Sequence, residues 1–94
     1  MGAISQKGAE FLIRSRLTDA ENGDVDALFE LGIVFSTGRG GTQVDLIEAH
    51  KWFNLAALKG RKDAVTLRQE VAGQMSDAEI SAAQREARAW VSAH

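Results

Sequence analysis

The residues with the most chemical promise lie in one stretch, FSTGRGGTQVDLIEAHKWF, from Phe35 to Phe53. Gly38, Gly40, Gly41 and Arg39 stand just ahead of an apolar, tryptophan-bearing pattern. Backbone amides at such a loop-to-helix junction can cradle a phosphate. A P-loop, however, needs Gly-Lys-Ser/Thr after a strand, and no Gly-Lys pair follows here. The dinucleotide fingerprint needs a third glycine where Gln43 stands, and a strand where Ile33 to Phe35 continues a helical pattern. Asp45 also places a carboxylate where the phosphate would sit. The loop is therefore read as a turn in which glycines supply positive φ. An anion- or nucleotide-responsive loop at Gly38–Gly41, assisted by Arg39, is the alternative.

The remaining candidates carry weaker chemistry. His50 and His94 form no His-x-x-x-His or Glu-x-x-His spacing, and the chain has no cysteine, so no metal and no cofactor are expected. Within EAHKWF, His50 is placed on the helix surface or at the border of the core. Ser15, Ser36, Ser76, Ser81 and Ser92 lack a glycine elbow and could recruit only His50 as a base. No catalytic residue is assigned, and the chain is not expected to be an enzyme. Trp52 and Phe53 fall in step with Ala49 and Ala56, the spacing of core packing. Trp90, on the last helix, either caps the core or leaves an apolar edge for a partner.

Positioning these residues requires helices. Proline is absent, alanine is frequent, and 94 residues allow one small domain. Three- and four-residue apolar spacing marks five helices: about Ser5 to Glu21, about Val25 to Ser36, one that follows the Asp45 cap and stops at Gly60, about Lys62 to Gly73, and one opened by the Ser76 to Glu79 box. Their inward residues are read as Ala9, Leu12, Ile13, Leu17 and Ala20 in the first, and Ala27, Leu28, Leu31, Gly32 and Phe35 in the second. Ala49, Trp52, Phe53, Ala56 and Ala57 serve the third. Ala64, Val65, Arg68, Val71 and Ala72 serve the fourth, and Ile80, Ala83, Ala87, Trp90 and Val91 the fifth. Gly23 and Gly60 read as C-terminal caps, Asp24 as an N-cap, and Asp45-x-x-Glu48 and Ser76-x-x-Glu79 as capping boxes. Val44 is positioned as a hydrophobic staple. Short connections imply antiparallel hairpins throughout.

A net charge of −2 gives no basic footprint, so nucleic acid is not an expected partner. No run approaches a membrane span, and MGAISQKGAEF has neither a signal-peptide core nor the myristoylation pattern. No membrane partner is expected, and a cytoplasmic setting is the default.

The chain also matches itself. DAENGDVDAL and AALKGRKDAV align at an offset of 37 residues, pairing Ala20 with Ala57, Gly23 with Gly60 and Ala27 with Ala64. Between them runs Ala27, Leu31-Gly32, Phe35, Gly38-x-Gly40, Asp45, Ala49, Trp52, Ala56-Ala57 and Gly60. This unit resembles the Sel1-like repeat, a relative of the tetratricopeptide repeat, and the chain looks like a small bacterial member with one intact copy. It departs from the pattern in two places. Gly41 stands where a valine is usual, with Asp45 five residues past Gly40, and residues 61–94 lack the Leu-Gly pair and the Gly-x-Gly turn. The resemblance implies an all-α superhelix of antiparallel hairpins with a leading helix at 1–22, an intact repeat at 23–60 and a degenerate closing pair at 61–94.

It further implies a non-catalytic protein–protein interaction or adaptor module. Phe29 and Ile33 lie off the main stripe of the second helix. They pack either on Leu12, Ile13 and Leu17 or against a partner. With Asp26, Glu30 and Arg39 they form the expected partner-binding set. The flanking charges Asp24, Lys51, Lys59, Arg61 and Lys62 are read as solvated faces, the cations favouring a helix C-terminus. An open stack of so few units also leaves room for weak self-association.

Overall fold

The computed structural model describes residues 2–94, with the side chains of residues 2–7 outside the described set. Five helices appear in order: α1 Gly2–Glu21, α2 Val25–Thr37, α3 Leu46–Leu58, α4 Lys62–Ala72 and α5 Asp77–Ala93. Among the described residues there is no strand, as the all-α expectation required, and no helix is long and apolar enough to cross a membrane. The first helix begins three residues earlier than its periodicity indicated.

Local chemistry explains the boundaries. Gly23 (φ 89°) ends α1, its amide donating to Ala20 while the Asp24 amide reaches back to Asp19. Gly60 (φ 98°) ends α3 with the same pair of bonds, to Ala57 and Ala56. Both are Schellman caps, which need the left-handed backbone that glycine adopts without strain. The internal sequence match therefore corresponds to one turn built twice. Ser76 and Glu79 form the full reciprocal capping box of α5. Asp45 caps α3 through the Glu48 amide at 3.1 Å, but the Glu48 carboxylate does not return the bond as the motif suggested. It accepts instead from the Trp52 indole at 2.8 Å and pairs with Lys51.

Packing centres on α3, which touches α2, α4 and α5, while α1 covers α2 and the glycine turn. The hairpin expectation fails at the end of the chain, because α5 returns onto α3 rather than onto α4. Ala49, Ala56, Ala64, Ala83 and Ala87 are buried and let the axes approach, while Phe53, Leu28, Leu31 and Val34 fill the space between. Gly32 belongs to this set, because a Cβ there would lie 2.5 Å from the Phe53 ring. Val34 and Leu55 are buried although they lie off the single stripes read from the sequence. A helix flanked on several sides is buried over more than one face. Val91, expected inside, is 56% exposed, and Val44 is also largely exposed rather than acting as a buried staple.

Candidate functional site

The five residues expected to meet a partner converge on one depression. Asp26, Phe29, Glu30, Ile33 and Arg39 line an open groove of about 470 Å³, with Arg61 as a sixth wall. Their convergence follows from helix geometry. Asp26, Phe29, Glu30 and Ile33 recur at three- and four-residue spacing along α2 and so share one face. The turn after α2 brings Arg39 to one end, and the turn before α4 brings Arg61 to the other.

Phe29 and Ile33 are half-buried and form the apolar floor. Phe29 tilts against Phe53 with ring centroids 5.6 Å apart, so part of its surface belongs to the core. The Arg61 guanidinium lies over the other side of the ring, 3.6 Å from its centroid. Arg61 Nη1 donates to Asp26 at 2.7 Å and Nε to Asp63 at 2.9 Å. The hydrogen bond with Asp63, chiefly, raises the Arg61 pKa and holds the Asp63 carboxyl below its ordinary value. Glu30 is drawn to α1, where Arg16 Nε donates to it at 2.7 Å. That bond is the main cause of a raised Arg16 pKa. Arg39 is exposed and, among the described residues, makes no ion pair.

Arg61 is the groove residue that the sequence pattern missed, having been read as a cation near a helix C-terminus. It is in fact the N-cap position of α4, without a side-chain capping bond, and Lys62 follows as the first helical residue. The signal was present in the internal match. Arg61 aligns with Asp24, an N-cap carboxylate, and an arginine in that place is poor capping chemistry. Lys51 also departs from a solvated reading. Only 12% of its side chain is exposed, and it bridges Glu48 at 2.8 Å and Glu86 at 3.6 Å beside Trp52.

The glycine loop closes on itself. Gly38 (φ 77°) caps α2 by donating to Val34, the Gly41 amide donates to Gly38, and that of Thr42 to Arg39. A Cβ at Gly38 would come within 2.9 Å of the Thr42 carbonyl oxygen. Gly40 (φ 70°) faces α1, where a Cβ would meet Leu12 at 3.4 Å. Three amides are thus spent inside the turn, and Asp45 occupies the α3 terminus. This geometry lends the anion-responsive reading no support. Gly40, the second glycine of the Gly-x-Gly pair, is the one that lets the turn lie on α1.

His50 is 4% exposed, a core residue rather than a surface or border one, and its Nδ1 has no hydrogen-bond partner. Burial, with a smaller contribution from the Arg68 charge, lowers its pKa from 6.5. Trp90 is half-buried and packs edge-on to Trp52 with centroids 4.8 Å apart, so it caps the core. His94 stacks on the Trp90 ring with centroids 3.8 Å apart. Among the described residues no cluster of histidine, cysteine and carboxylates could hold a metal ion.

No family model matches the chain, and no solved structure matches it. Over 78 residues it is 34% identical to the alginate biosynthesis protein AlgK of Azotobacter vinelandii. The match takes in 83% of this chain but 17% of that protein, so the chain spans a small part of its relative's length. Together with the helical hairpins and the duplicated turn, this likeness supports a helical-repeat character in general terms.

Proposed function

We propose that the protein is a non-catalytic interaction module of the Sel1-like kind, and that the α2 groove receives a segment of a partner protein. The observation that carries this reading is the convergence of Phe29, Ile33, Asp26, Glu30, Arg39 and Arg61 on one depression. Its apolar floor provides area to desolvate, and its charged rim provides orientation. Arg39, free of ion pairs among the described residues, suits a carboxylate on the incoming segment, and Ile33 suits an apolar side chain beside it. Phe29, clamped between Phe53 and Arg61, acts as a rigid platform. Rigid floors bind with little ordering cost. The likeness to an alginate biosynthesis protein makes alginate biosynthesis one setting for such a module.

Photo-crosslinking tests the surface directly. A photoreactive residue at Ile33 should trap a protein in the native cell, whereas one at Glu70, on the exposed side of α4, should not. Equal trapping from both positions would remove the groove from consideration.

A further inference from the structure

We propose that a second surface, the cleft where α1, α3 and α5 end together, pairs with the same cleft of a second copy of this chain in a two-fold dimer. The cleft has a volume of about 240 Å³ and is walled by buried Leu28 and Leu55 and half-buried Trp90. Leu58 and Val91 also line it and are 68% and 56% exposed. Apolar side chains beside an apolar recess give one patch both a ridge and a hollow, and such patches mark interaction sites.

The charges select the occupant. Glu21 and Lys59 flank the cleft, and neither makes an ion pair among the described residues. Glu21 is moreover the last residue of α1, the end at which a helix disfavours an anion, so its placement gains nothing locally. In a two-fold interface each patch meets itself, so residue i contacts j and j contacts i. One acid and one base on the same rim satisfy that requirement. Each Glu21 then faces the Lys59 of the other copy while the Leu58 and Val91 ridges close over the two clefts. This surface is distinct from the α2 groove, and the proposal does not depend on that groove binding a partner.

Sedimentation velocity of the full chain, from about 10 μM to about 1 mM, provides the test. The expected result is a concentration-dependent monomer–dimer equilibrium that Leu58→Glu abolishes while circular dichroism stays unchanged. Glu21→Lys or Lys59→Glu alone should weaken the dimer about tenfold or more by setting like charges together. The two reversals combined should restore it. Phe11, 76% exposed in a separate depression on α1, serves as a control, and Phe11→Ser should have no effect. A monomer at every concentration overturns the proposal. So does a dimer that survives Leu58→Glu, one lost on Phe11→Ser, or single reversals that the double reversal does not rescue.

Discussion

The guanidinium of Arg61 lies 3.6 Å from the centroid of the Phe29 ring, joining the turn before α4 to the exposed face of α2. Asp26 and Asp63 hold the arginine there from either side. A double-mutant cycle with Arg61→Ala and Phe29→Leu should return a coupling of about 0.5–1 kcal/mol, the range of a partly exposed cation–π pair. Arg61→Lys should keep only part of it, because an ammonium cannot lie flat on the ring while bonding both carboxylates. Chemical denaturation of the wild type, the two single variants and the double variant measures the coupling directly.

Gly32 is a close-approach glycine inside a helix. Alanine there gains up to about 1 kcal/mol of helix propensity but places a methyl group inside the Phe53 ring contact. Overpacking of this kind costs about 1–3 kcal/mol, so Gly32→Ala should be net destabilising. Adding Phe53→Leu to Gly32→Ala should cost less than Phe53→Leu alone, because the smaller side chain leaves space for the methyl. Simple additivity of the two substitutions would contradict the packing account.

The duplicated turn predicts matched energetics. Gly23→Ala and Gly60→Ala each force a left-handed conformation on a residue with a Cβ, and neither meets a steric obstacle beyond that strain. Each should cost about 1–2 kcal/mol, and the two values should agree closely. A large difference between them would show that the shared hydrogen bonds conceal different local strain.

Much of this architecture could be read from sequence because it depends on local rules. The caps at Gly23, Gly60 and Ser76, and the apolar spacing within each helix, place the elements to within a few residues. The groove set on α2 was legible for the same reason, since its members share one helical face. What escaped was set by neighbours rather than by local pattern. For Arg61 the internal match marks the start of α4, but its place over Phe29 comes from the tertiary approach of the α3–α4 turn. Leu55, Val34 and His50 were missed as core because α2 and α3 are covered on several sides, which a single-stripe reading does not anticipate. The return of α5 to α3 left no local signature at all.

His50 links the core to pH. Its folded-state pKa is lowered from 6.5, first by burial and then by Arg68, so the unfolded chain binds more protons as pH falls. Its contribution is therefore complete above about pH 6.5 and is lost as pH drops through that value toward the folded-state pKa. Thermal unfolding between about pH 5 and 8 should show a midpoint that declines on the acidic side, with the slope reduced in His50→Leu. The leucine variant should fold, since an apolar group replaces a ring nitrogen that has no partner.

Binding of a partner segment in the α2 groove is decided by an isotherm. Once the protein trapped from Ile33 is purified, calorimetric titration should compare the wild type with an Ile33→Ala, Arg39→Glu variant. Both changes leave the Phe29–Phe53 contact intact, so the fold should persist. The variant should bind with a Kd weaker by about tenfold or more, equivalent to about 1.4 kcal/mol. An unchanged Kd in a folded variant would contradict binding in the groove.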